Sequence, residues 1–163
     1  MSESVTPYIA VLADAVGSRR LAAPARQALQ QQLRSVLTAA NRKWRNAIAA
    51  RFAITLGDQL EGLVAADAPL WEIVHYLRAE LDGDWIISCG RGPLATTLGP
   101  PVIELDGPCF HEAREALERA KKERLVLASA AMTISPAPSA PTTPPFTGPG
   151  PGDSARLLPC SGP

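Results

Sequence analysis

The sequence predicts an α+β domain of ferredoxin-like plan, with an antiparallel-containing sheet, helices packed on one face, and a disordered C-terminal tail. Three observations carry this reading. Short apolar runs alternate with helical-period segments in the order strand, helix, hairpin, helix, strand, strand, helix, which is the alternation of a split βαβ sheet covered by helices. A Gly57-Asp58 pair sits between two strand-like runs, and Gly with Asp makes a favoured two-residue hairpin turn. From Thr133 onward the composition changes: residues 136–163 hold nine of the sixteen prolines and only Asp153 and Arg156 as charges. Such a segment cannot bury enough apolar surface to offset its ordering entropy. The expected division is a flexible start over 1–7, a folded domain over 8–131 and a proline-rich tail over 132–163.

Each element has its own warrant. Tyr8 to Asp14 is a short apolar run ended by Gly17 and Ser18, which reads as a buried strand leading into a phosphate-sized turn. Pro24 then opens a segment in which Leu29, Leu33, Val36, Leu37, Ala40 and Trp44 recur at three- and four-residue steps, the spacing of one helical face. Arg51 to Leu56 and Leu60 to Ala65 flank the hairpin turn. Leu70, Ile73, Val74, Leu77 and Leu81 again have helical spacing after Pro69, and Gly83 supplies a stop. Trp85 to Cys89 is a compact strand broken by Gly90, Gly92 and Pro93, and Val102 to Leu105 reads as a short edge strand. Pro108 to about Leu127 is a charged helix with Phe110, Ala113, Leu117 and Ala120 on its inner side.

Composition narrows the function classes. At 163 residues there is room for one domain. A hydrophobic share of 46% with 20% charged residues is ordinary for a globular chain. Sixteen basic side chains balance sixteen acidic ones, which removes the strongest argument for a nucleic-acid or anionic-membrane partner. Cys89, Cys109 and Cys160 are odd in number and lack C-x-x-C spacing, so neither a disulfide framework nor a zinc site is indicated. Free thiols in a reducing cytosol fit better. The N-terminal apolar run follows an acidic start, contains Asp14 and is too short for a membrane span, so a cytoplasmic location is expected.

Two acids stand at special places, Asp14 at the end of the first strand and Asp58 in the hairpin turn. If those strands are neighbours, both carboxylates leave the sheet in one region. Magnesium and manganese prefer oxygen ligands and commonly use one or two carboxylates together with substrate phosphates, so the pair is a candidate seat for either ion. The alternative is that Asp14 caps a turn and Asp58 serves only as the turn former. Gly17, Ser18 and Arg19 follow directly and offer backbone N–H groups, a hydroxyl and a guanidinium to a phosphate; an ordinary exposed loop is the plainer alternative. His75 reads as a helix-surface residue, whereas His111 opens the last helix after Asp106-Gly107-Pro108 and is a candidate ligand contact. The charges from Glu112 to Glu123 read as a solvated face supported by i,i+3 and i,i+4 pairs.

The motifs Ala13-Asp14-Ala15-Val16-Gly17-Ser18-Arg19, Ile54-Thr55-Leu56-Gly57-Asp58-Gln59-Leu60-Glu61-Gly62-Leu63 and Asp106-Gly107-Pro108-Cys109-Phe110-His111-Glu112-Ala113-Arg114-Glu115-Ala116-Leu117 together resemble the SatD family over roughly residues 8–124. More distantly, Val11 to Gly17 and Leu56-Gly57-Asp58 resemble the two metal motifs of class III nucleotide cyclases, and Cys89-Gly90-Arg91-Gly92 resembles the glycine-bearing strand end before their last helix. That resemblance implies a nucleotide-cyclase-like sheet, metal at Asp14 and Asp58, and a ligand site including Gly57. It also implies a homodimer, because those enzymes assemble sites between two subunits.

The departures from the cyclase pattern matter as much. Ile54 stands where an adenylate cyclase would carry a purine-selecting lysine. His111 and Glu115 fall near its transition-state asparagine and arginine, and Arg114 could replace that arginine only after a one-residue shift. Losing preorganised donors costs a phosphoryl-transfer enzyme several kcal/mol per group. The resemblance therefore implies binding of a nucleotide or another phosphorylated small molecule more than catalysis, with a metal-dependent nucleotidyl or phosphoryl transferase and a non-catalytic dimerisation domain as the alternatives. Longer SatD-like chains continue into a helix-turn-helix; here the residues after Leu127 show no recognition-helix pattern, and DNA binding is not carried over.

Overall fold

The computed structural model describes residues 6–99, 101–125, 127–129 and 133–134. A strand β1 (Tyr8–Ala15) is followed by a single 3-10 turn (Ser18–Arg20) and helix α1 (Ala23–Lys43). The hairpin β2 (Ile48–Leu56) and β3 (Gln59–Ala65) comes next, then helix α2 (Leu70–Glu80) and strand β4 (Trp85–Gly92). A 3-10 turn at Val102–Glu104 precedes helix α3 (Pro108–Glu123), and two short strands, β5 (Leu127–Ser129) and β6 (Thr133–Ile134), close the order.

The strands form one sheet in the order β2-β3-β1-β4-β5-β6. The first four pair antiparallel throughout, with β1 between β3 and β4, so β1 to β4 with α1 and α2 make the expected ferredoxin-like unit. β4 and β5 run parallel, as a strand pair joined through a helix does, and β6 returns antiparallel on β5. Gly57 and Asp58 are the only residues between β2 and β3, as the hairpin reading requires.

β1 is central because it is apolar on both faces. Ile9, Val11, Ala13 and Ala15 point into a core with Leu33, Val36 and Leu37 of α1 and Ile73, Val74 and Leu77 of α2. Ala10 and Leu12 point the other way, against Phe110, Ala113, Ala116, Leu117 and Ala120 of α3. The expectation of helices on one face is corrected here: α1 and α2 share a face, and α3 covers the opposite one. The physical reason lies in the strands. A strand buried on both sides reads as a continuous apolar run, and each of its faces needs a cover. α3 gets close to β4 because Gly90 has no side chain: a Cβ there would run into the Cys109 carbonyl and the Ala113 backbone.

Three further boundaries differ from the sequence reading. Val102–Glu104 is a 3-10 turn rather than an edge strand; Pro101 precedes it, Val102 is buried under α3 and Ile103 is exposed. α3 stops at Glu123, where Arg124 takes a left-handed conformation (φ 56°), and Leu127 belongs to β5 instead. Thr133–Ile134 pair with β5, so the sheet reaches two residues into the segment read as tail. The expectations for 1–5 and 135–163 lie outside the described residues.

The outer strand β2 is tied to its own helix. Asn41 of α1 donates from its side-chain amide to the Phe52 carbonyl (3.0 Å) and accepts from the Phe52 N–H (2.8 Å). One side chain thereby does for Phe52 what a neighbouring strand would do.

Candidate functional site

The chain leaves the sheet at the end of β1, and there the site is assembled. Asp14 lies across from Gln59 on β3 and Ile86 on β4. The next two residues are clamped, Ala15 N–H to the Asp58 carbonyl (3.2 Å) and Val16 N–H to the Asp84 carbonyl (2.8 Å). Gly17 then turns the backbone through the left-handed region (φ 75°), where glycine has no steric cost. The 3-10 turn that follows buries Ser18, whose hydroxyl donates to the Asp58 carboxylate. Hairpin tip and strand-end turn are therefore one structural unit.

Around this unit is an open cleft of about 1100 Å³. Asp14, Asp58, Gly17, Ser18, Arg19 and Arg114 all line it. The other two residues singled out in the sequence do not. Gly57 points its carbonyl toward α1, accepting from Gln30 Nε2 at 3.4 Å. His111 sits near the start of α3 with Nε2 3.1 Å from an Asp106 oxygen, and Arg114 Nη1 is 3.3 Å from the same oxygen. The Asp106 carboxyl is held below its ordinary range, chiefly by the Gly107 backbone N–H and further by His111 and Arg114.

Four charged residues of the cleft, Arg20, Glu61, Glu118 and Lys121, are not among the site residues expected from sequence. Lys121 reaches from α3 to Asp14, with Nζ 3.2 Å from Oδ2, and also meets Glu118 Oε1 at 3.1 Å. Burial works against the Lys121 charge, but Glu118 and Asp14 outweigh it and hold its pKa above the ordinary value. Glu61 on β3 is buried, and loss of water raises its pKa while the Arg114 charge pulls it back. The available signal was weak: Glu61 is a lone acid between Leu60 and Leu63 in a strand, and Lys121 is spaced seven residues from Arg114, which puts both on one helical stripe.

A hard divalent cation prefers oxygen donors. Asp14 and Asp58 both line one cleft, and the ammonium resting on Asp14 marks a point where positive charge is stabilised. Among the described residues no three His, Cys, Asp or Glu side chains group as a metal cage. Two carboxylates supplemented by phosphate and water oxygens suit magnesium or manganese, so the residues fit. Soft-metal or thiol chemistry has less support. Cys89 and Cys109 are free and buried, and burial pushes the Cys89 thiol up to about 12.

A sequence profile described as the SatD family matches residues 8–128. The chain belongs to the SatD family. No curated protein matches it. Among solved structures, this SatD domain is similar to the catalytic core of a rhodopsin-guanylyl cyclase with converted specificity, crystallised in complex with ATPαS. The two share 17% identity at a TM-score of 0.50, over 72% of this chain and 76% of that one. The likeness shows that the SatD domain has the fold of a nucleotide-cyclase catalytic core, as the distant sequence resemblance implied. No helix among the described residues is long and apolar enough to cross a membrane.

Proposed function

We propose that this SatD domain is a cytoplasmic regulatory module that binds a nucleotide, or another phosphorylated small molecule, in the cleft at the end of β1. The observation that carries the reading is the convergence of Asp14, Asp58 and the Gly17–Arg19 turn on one cleft, with Ser18 bonded to Asp58. In this reading Asp14 and Asp58 hold magnesium or manganese, the Ser18 and Arg19 end of the turn faces the phosphates, and Arg114 supplies further positive charge from α3. Held by Asp14 and Asp58, such a cation would supply positive charge that offsets the charge of the phosphates. The ATPαS bound by the cyclase neighbour supports the ligand class.

Binding is favoured over turnover by what surrounds the cleft. Ile54 packs with the α1 and α2 core and offers no base-selecting cation. His111 is engaged with Asp106 and does not line the cleft. With Ile54 in place of the cyclase's purine-selecting lysine and His111 turned to Asp106, groups that act on the transition state are lost while phosphate-facing charge remains, so rate is lost faster than affinity. The cyclase resemblance extends the proposal to a homodimer, in which a second copy would complete the site. Arg114 is the observation that keeps a transferase as the second reading, because it lines the same cleft.

Calorimetry with ATP and GTP, with and without magnesium or manganese, tests this, alongside chromatography of the products. Metal-dependent binding is expected, weakened at least about tenfold by Asp58→Ala (~1.4 kcal/mol), with no appreciable cyclic nucleotide. Cyclic product that disappears in Asp14→Ala would replace the binding module with the enzyme. Absence of any nucleotide binding would leave the dimerisation domain.

A further inference from the structure

Arg114, Glu118 and Lys121 are spaced i, i+4 and i+7 along α3, so they form one stripe, and all three line the cleft. Lys121 is the member that reaches the end of β1. Its ammonium is shared between Asp14 Oδ2 and Glu118 Oε1 at nearly equal distances, 3.2 and 3.1 Å. The pair is partly screened by water, with Lys121 35% and Asp14 23% exposed. It is therefore a contact that can open at small cost.

We infer that Lys121 is a displaceable internal counter-cation of Asp14, which makes metal binding at this carboxylate conditional on a phosphate ligand. The inference rests on the proposed metal and phosphate roles of the cleft. An ammonium and a divalent cation on one carboxylate repel each other strongly at such separations, so a metal arriving alone must push Lys121 aside. Glu118 retains the displaced ammonium, but Asp14 no longer helps to hold it. If phosphate arrives as well, the ammonium gains a new anionic partner for the N–H donors that Glu118 does not occupy. The result is positive coupling between metal and phosphate, produced by a residue that is a ligand of neither in the free protein. By linkage the coupling acts equally on both ligands.

The substitution Lys121→Met keeps the aliphatic stem and removes the charge. Free Mn²⁺ is counted by electron paramagnetic resonance for the wild-type chain and the variant, and ATP affinity at saturating Mn²⁺ is measured by calorimetry. Expected are opposite signs: Mn²⁺ alone binds Lys121→Met at least about fivefold more tightly, and ATP with Mn²⁺ binds it at least about fivefold more weakly, the lower end of ordinary site-to-site coupling. Lys121→Arg, which keeps the charge, stays near wild type in both. A thermal melt confirms that each variant is folded. Equal Mn²⁺ affinity in wild type and Lys121→Met, or a loss in both measurements, overturns the counter-cation role while leaving the proposed function standing. If the wild-type chain and Lys121→Met both fail to bind Mn²⁺ and ATP, the functional reading fails first and takes this inference with it.

Discussion

Glu61 illustrates how a single side chain carries the electrostatics of the cleft into the fold. It lies 8% exposed on β3, paired across the sheet with Leu12 on one side and Ala53 on the other. Desolvation raises its pKa above the ordinary 4.5, against the opposing pull of Arg114. An acid raised on folding favours the native state while protonated. That stabilisation is complete below about 4.5 and is lost as pH climbs through the raised native value. Glu61→Gln has no such loss, so its melting temperature relative to wild type should increase between about pH 4 and pH 7. A difference that stays flat, or shrinks, over that range would mean that Arg114 and water compensate the buried charge fully. Asp14 and Asp58 were legible from sequence because strand ends and tight turns announce themselves. Lys121 was not: its i,i+3 partner Glu118 made a solvated face a sufficient account, and spacing alone does not say what lies opposite a helix.

At the scale of elements, the hairpin and the faces of α1 and α2 could be read directly, since a Gly-Asp turn and a three-to-four-residue apolar period are local signals. The placement of α3 was not local. Its apolar stripe fits either side of a sheet, and only the unbroken hydrophobicity of β1 and β4, in place of alternation, indicated that both faces were to be covered. Gly90 is where that docking is most constrained, because α3 backbone occupies the space of a missing side chain. Gly90→Ala should therefore destabilise the domain by about 1–3 kcal/mol or more, as overpacking does, read as a lowered midpoint in urea. A midpoint within error of wild type would show that α3 can lift off β4 without cost. Val102 to Leu105 differs from its sequence reading for another reason: four residues are too few for a period, and the preceding prolines favour a turn as readily as an edge strand.

In the whole molecule the sheet separates two cores. Trp44 and Trp85 report on the α1 and α2 side, whereas Phe110, fully buried, belongs to the α3 side. β1 contributes to both, so the layers are expected to melt together. Phe110→Ala should cost about 3–5 kcal/mol and shift the tryptophan-fluorescence and far-ultraviolet dichroism transitions equally, although Trp44 and Trp85 belong to the other core. Fluorescence that lagged behind the dichroism would reveal two independently unfolding layers. An open sheet of this kind also has an outermost strand, and bare strand edges recruit other chains into fibres. Here Asn41 closes the Phe52 position of β2 from within, and Arg51 beside it is exposed. The amide that fastens α1 to β2 thus also works against runaway polymerisation: a stray strand reaching this edge finds one rung of the ladder already taken and a positive charge next to it.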